Sequence, residues 1–140
     1  MASMAGLLSG QGFSPYSASK FAVVNMSEGL ATQLQPFGIG VSVVCPGFVR
    51  TMIMESERNR PKRYKTRNPA ATDKSSFARL SQLVQCETEP SNVAGRVLNA
   101  IQNNELYVFT HPERKPEVEA RFDAILAALE KAPIAPKIHA

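Results

Sequence analysis

SMAGLLSGQGFSPYSASK, residues 3–20, carries two overlapping chemical patterns, and the choice between them decides the fold. Gly6, Gly10 and Gly12 spell G-x-x-x-G-x-G, the spacing of a loop that cradles phosphate. Tyr16 and Lys20 stand at i and i+4, which places both side chains on one helical face within reach of one ligand. A phosphate loop needs a strand that delivers the chain to its glycines and a helix that leaves them with its N-terminus on the anion. Only five residues precede Gly6, and the helix start at Ser14-Pro15 comes too late after Gly12. The carboxylate expected about 20 residues further on is also missing, since Glu28 falls in mid-helix. The glycines therefore read as a flexible connection, and the Tyr–Lys pair remains as the chemical candidate.

Working outward, Ser14 is a suitable N-cap and Pro15 a suitable first helical residue. The helix is expected to run to about Gln35, where Pro36 and Gly38 stop it, with Val23, Met26, Leu30 and Leu34 as its apolar face. IGVSVVCPG (39–47) reads as a short strand buried on both faces of a parallel sheet. Residues 50–74 are polar, basic and broken by Pro61 and Pro69, as in a long mobile loop. Phe77, Leu80, Leu83 and Val84 suggest a short helix, and Pro90 opens another with Val93, Val97 and Ile101 at i, i+4, i+8. LYVFT (106–110) is a second strand, and Val118, Phe122, Leu126 and Leu129 mark a last helix before a tail at 132–140. This order predicts part of an α/β layered fold. Two strands are few for so many helices, and Met1-Ala2-Ser3 reads as the tail of a third.

Composition narrows the function classes. At 140 residues, 44% hydrophobic and 20% charged, the chain reads as one globular domain. No window approaches the roughly 18 apolar residues of a membrane span. No Lys or Arg precedes Lys20, so the start lacks the positive region of a secretory signal. Cys45 and Cys86 stand alone, which argues against a metal site or disulfide framework and fits a reducing, cytoplasmic setting. Of the 16 basic residues, Arg58, Arg60, Lys62, Arg63, Lys65 and Arg67 fall in ten positions. The rest of the chain is mildly acidic. One basic loop with Tyr64 as its sole aromatic does not make a nucleic-acid face.

The Tyr–Lys pair has a clear chemical use. A tyrosine hydroxyl titrates near 10, so proton exchange near neutrality requires the phenolate to be stabilised by roughly 4 kcal/mol for about three units. A nearby ammonium supplies part of that. Two further features extend the pattern: Ser3 lies thirteen residues before Tyr16, and PGFVRT (46–51) follows the strand after the Tyr–Lys helix. With Ser3, YSASK (16–20) and the P-G-x-x-x-T turn in this order, the chain resembles the short-chain dehydrogenase/reductase family. EPSNVAGRVLNAIQNNELYVFTHPE (89–113) also looks like that family's closing helix and last strand.

The resemblance implies a fold: the C-terminal part of a Rossmann-like, doubly wound parallel sheet. The N-terminal half, with the cofactor glycines and a catalytic Asn, would be missing. It also implies roles. Tyr16 would be the general acid/base, Lys20 would lower the tyrosine pKa and hold the nicotinamide ribose, and Ser3 would hydrogen-bond the substrate oxygen. Pro46, Gly47 and Val49 would border the nicotinamide of NAD or NADP, with Thr51 in support. The substrate would be a small alcohol or carbonyl compound, residues 50–88 its variable lid, and the complete protein a homo-oligomer packed through the Tyr16–Lys20 helix. His111, after a strand, and His139, in the tail, are set aside as bystanders, and Cys45 as a buried small hydrophobe. The competing reading is a non-catalytic product that persists through protein contacts.

Overall fold

The computed structural model describes residues 1–9, 14–64, 84 and 88–133. Helix α1 (Ser14–Leu34) begins at the Ser-Pro pair and gives way to a 3-10 turn at Gln35–Phe37. There Gly38 takes φ 69°, the left-handed conformation that ends helices, and its N–H returns to the Gln35 carbonyl. Strand β1 (Val43–Cys45) follows. Helix α2 (Pro90–Gln102) opens on its proline, strand β2 spans Tyr107–Phe109, and helix α3 covers Lys115–Glu130. The expected short helix around residues 77–84 lies outside the described residues apart from Val84, which is buried. Most of the 132–140 tail, with His139, also lies outside them.

β1 and β2 pair in parallel, with Val43 opposite Tyr107, Val44 opposite Val108 and Cys45 opposite Phe109. The N-terminal residues extend this sheet on the other side of β1. Ala2 N–H donates to the Val44 carbonyl and Met4 N–H to the Pro46 carbonyl, both at 2.8 Å. Both partners advance by two residues in the same direction, which is parallel pairing. Pro46 has no N–H to return a bond to Ala2, so the ladder on this side is one-sided. The tail of a third strand is therefore present at Met1–Ser3, and β1 is central.

Paired residues share a face, so Val43, Cys45, Tyr107 and Phe109 point one way and Val44 and Val108 the other. The first face carries the core cluster of Ala2, Met4, Leu7, Val24, Val43 and Cys45, with Leu8, Val23, Leu106 and Val118 packed on it. α1 supplies Val24 and α3 supplies Val118, so both helices lie on this face. α2 packs on β2 through the other, where Val93, Ala100 and Val108 are buried. Helices on both faces of a parallel sheet make the doubly wound α/β arrangement expected from the sequence.

Several helix faces differ from the sequence reading. In α1 the buried residues are Ser17 and Val24, while Met26 and Leu30 lie exposed. α1 is apolar on more than one side, so spacing alone could not choose the buried one. In α2, Ala100 takes the core position and Ile101 is 60% exposed. α3 buries no residue fully and leaves Phe122, Leu126 and Leu129 exposed. In the expected loop at 50–74, residues Met52–Asn59 and Lys62–Tyr64 form 3-10 helix, and 65–74 lie outside the described residues. Its basic residues are partly matched locally: Arg58 pairs with Glu55 and Arg60 with Glu57.

A side-chain bond ties α1 to β2. The Tyr107 hydroxyl donates to Glu28 Oε1, and its ring stacks on Phe109 with centroids 5.9 Å apart. The bond to Glu28, then burial and the carboxylate charge, push the Tyr107 pKa up to about 12. The raised pKa favours the protonated, folded form. Its contribution to stability is fully present below pH ~10 and lost as pH rises through about 12; partial exposure keeps it small. Glu28→Gln is expected to move the Tyr107 step down toward ~10 in the phenolate absorbance difference between parent and Tyr107→Phe. An unmoved step would show that Glu28 does not hold the hydroxyl.

Candidate active site

Ser3 and the Pro46–Gly47 turn meet at the C-terminal end of β1, where open α/β sheets place their ligands. Ser3 lies in the strand-like segment, between the paired amides of Ala2 and Met4, and caps the turn at Met4–Gly6, its Oγ accepting from Ala5 N–H at 3.2 Å. The same hydroxyl reaches across to the Pro46 carbonyl at 3.5 Å. That bond joins the first segment to the turn after β1.

Tyr16 and Lys20 occupy the start of α1. The Lys20 ammonium lies 5.4 Å from the centroid of the Tyr16 ring, within cation–π range. It also donates to the Met1 carbonyl at 3.3 Å, which ties the helix to the Ser3 segment. The Tyr16 side chain stays open to solvent, at 42% for the residue as a whole.

Gly6 has a different role from the one its motif suggested. It is buried, and a Cβ there would lie 2.7 Å from the Lys20 carbonyl oxygen and 3.0 Å from Val24 Cγ2. The residue is a close-packing point between the Ser3 turn and α1, and the reading of it as a flexible connection is corrected. Gly10 and Gly12 lie outside the described residues. Gly6→Ala must push the turn off the backbone of α1, an overpacking cost of about 1–3 kcal/mol. The urea midpoint of the complete protein is expected to fall accordingly; an unchanged midpoint would contradict this contact.

The turn after β1 is held from several directions. The Pro46 carbonyl receives Met4 N–H and the Ser3 hydroxyl. Gly47 N–H donates to His111 Nδ1 at 3.1 Å. Val49 forms a parallel bridge with Thr88, Arg50 N–H donates to the Thr88 carbonyl at 2.9 Å, and the Arg50 guanidinium pairs with Glu89. Thr51 is exposed and caps the Met52–Asn59 turn, accepting from Ile53 N–H at 3.4 Å. Cys45, immediately before the turn, is fully buried, and burial pushes its thiol pKa up. It is a core residue, as the sequence suggested.

His111 is the residue the sequence reading missed. It follows β2 and carries no motif, yet it is buried against the Pro46–Gly47 turn. Its position depends on the parallel register of β2 with β1, which no local signal reports.

The short chain dehydrogenase family pattern matches residues 1–62, the span that holds Ser3, Tyr16, Lys20 and the 46–51 turn. The C alpha-dehydrogenase of Sphingobium sp. (strain NBRC 103272 / SYK-6) is 33% identical over 126 residues, covering 90% of this chain and 41% of that protein. The CLA biosynthesis dehydrogenase/reductase of Lactiplantibacillus plantarum is 34% identical over 132 residues, covering 90% and 46%. This chain belongs to the short-chain dehydrogenase/reductase family. The crystal structure of a short-chain dehydrogenase/reductase from Burkholderia phymatum in complex with NAD superimposes on it with a TM-score of 0.83 at 33% identity. That match takes in 99% of this chain and 50% of the other. The chain thus spans half or less of the length of these relatives. Among its described residues no helix is long and apolar enough to cross a membrane. Among the same residues no group of three or more His, Cys, Asp or Glu side chains is placed to hold a metal.

Proposed function

We propose that the chain is the catalytic, C-terminal half of an NAD- or NADP-dependent oxidoreductase that interconverts a small alcohol and its carbonyl. The observation that carries this reading is the joining of Ser3, the Tyr16–Lys20 helix start and the Pro46–Gly47 turn at one end of the parallel sheet. The residues present fit the nicotinamide–ribose end of the cofactor. Lys20 offers an ammonium over the ring of the solvent-open Tyr16, and the 46–51 segment offers backbone groups at a strand end. They do not supply a pyrophosphate cradle among the described residues, because Gly6 is packed against Lys20. When bound, the cofactor supplies the hydride chemistry.

The chain's own residues handle the proton and the geometry. Tyr16 gives its proton to the substrate oxygen in reduction and takes it in oxidation. Lys20 stabilises negative charge on the tyrosine oxygen and donates to the ribose hydroxyls. Ser3 hydrogen-bonds the substrate oxygen as charge develops there. Val49 contributes backbone toward the carboxamide, and Thr51 supports that segment. The variable substrate lid assigned to residues 50–88 falls largely outside the described residues, which there are 50–64, 84 and 88. Relatives that are dehydrogenases, one of them solved with NAD, support this assignment.

The complete enzyme, with a glycine-rich nucleotide-binding unit alongside this chain, is the test object. Lys20→Ala there is expected to weaken cofactor binding about tenfold or more and to move the pH–activity profile upward. An unchanged profile would leave Lys20 as a ribose ligand only.

A second reading, a non-catalytic chain that persists through protein contacts, draws support from the apolar side chains exposed on α1 and beyond it: Met26, Leu30, Phe37 and Ile39. The same surface supports a homo-oligomer packed through the Tyr16–Lys20 helix. Titration with NADH and NADPH separates the two readings, since the non-catalytic chain binds neither in any assembled form.

A further inference from the structure

We infer that His111 is a positioning residue for the Pro46–Gly47 turn. What the turn is for rests on the reading above; that His111 sets it rests on geometry alone. A backbone N–H can only donate, so the nitrogen it meets must be an acceptor. Gly47 N–H meets His111 Nδ1 at 3.1 Å. Nδ1 is therefore the unprotonated nitrogen, and the ring proton sits on Nε2. Thr110 Oγ1 lies 2.7 Å from the same Nδ1, and with that tautomer its hydroxyl is a second donor sharing the acceptor.

The ring also explains why position 47 is glycine. Gly47 does not adopt a positive φ, so backbone freedom is not the reason. A Cβ at this position would stand 2.7 Å from His111 Cγ and 2.8 Å from both Cδ2 and Nδ1. The imidazole occupies the space a side chain would need. Gly47 and His111 thus form one unit: the missing side chain admits the ring, and the ring accepts the amide. With Met4 N–H and the Ser3 hydroxyl on the Pro46 carbonyl, both sides of the Pro46–Gly47 peptide link are held. The imidazole, from beyond β2, and Ser3, from the first segment, grip the turn from opposite neighbours of β1. A turn that must present backbone atoms to a ligand gains from such preorganisation.

The test separates the acceptor from the bulk of the ring. Asparagine places an acceptor oxygen near the Nδ1 position, whereas phenylalanine keeps the bulk and removes the acceptor. In the complete enzyme labelled with nitrogen-15, the imidazole is expected to show the Nε2–H tautomer. The Gly47 amide is expected to exchange at least about tenfold faster in His111→Phe and to recover most of its protection in His111→Asn. A steric arm runs alongside. Gly47→Ala should lower the urea midpoint when His111 is present and leave it nearly unchanged in a His111→Ala background. Equal exchange in the Phe and Asn variants, or a Gly47→Ala effect that ignores residue 111, would overturn the proposal. Neither readout requires bound dinucleotide, so failure of the oxidoreductase reading would appear separately, as absent cofactor binding by the complete enzyme with these signals intact.

Discussion

Tyr16→Phe in the complete enzyme is expected to lower kcat at least about 1,000-fold, about 4 kcal/mol of barrier, while leaving the cofactor Kd within about threefold. The substitution removes one oxygen and little else. The ring keeps its place beside the Lys20 ammonium, and the side chain is open enough that losing the hydroxyl creates no cavity. What is lost is the proton donor and acceptor. Ser3 and Lys20 remain, so binding should survive where turnover does not. Steady-state turnover and a fluorescence titration with NADH or NADPH measure the two quantities separately. Activity within about tenfold of the parent, under ~1.4 kcal/mol, would remove Tyr16 from the proton-transfer role.

The second large effect concerns the chain by itself. The isolated 140 residues are expected to show no turnover and no binding of NADH or NADPH at micromolar concentration. One edge of the sheet is the short segment at Ala2–Met4, bonded on its β1 side. The other is β2, with Tyr107 and Phe109 partly exposed. α3 leaves Phe122, Leu126 and Leu129 uncovered, and α1 leaves Met26 and Leu30. Open edges and apolar faces favour association over a single rigid site. Reacting groups must be held within about 0.5 Å, which a loosely supported α1 does not achieve. No phosphate cradle among the described residues would offset the pyrophosphate charge. Gel filtration and cofactor fluorescence titration on the expressed chain test this. A monodisperse, cooperatively melting species that binds either dinucleotide would overturn it.

Much of this molecule was legible without coordinates, and for local reasons. Ser14-Pro15 and Pro90 start their helices because a proline at a first helical position gives up no hydrogen bond. Pro36 and Gly38 end α1 because one lacks a donor and the other accepts a left-handed φ. The two short β-branched and aromatic runs became β1 and β2. The i, i+4 spacing alone places Tyr16 and Lys20 together, since a helix brings such residues onto one face. Ser3 and the 46–51 turn were recognisable only through the family resemblance, by the thirteen-residue spacing from Ser3 to Tyr16 and the P-G-x-x-x-T pattern.

The tertiary structure decided what depends on partners distant in sequence. Which side of α1 is buried followed from where the sheet lies, because apolar residues stand on more than one side of it. Gly6 was legible only as a glycine; that it lets the Ser3 turn touch the backbone of α1 depends on a contact fourteen residues away. The sequence offered Met1-Ala2-Ser3 as the tail of a third strand, but its partner and direction are set by the amides of Ala2 and Met4 on β1, where Pro46 cannot complete the ladder. His111 is the sharpest case. Nothing beside it in the chain marks it, and it reaches Gly47 only because β2 lies parallel to β1 and in register with it. Local spacing selects the groups that do chemistry, but strand register selects the groups that hold them in place, and register is a property of the assembled sheet.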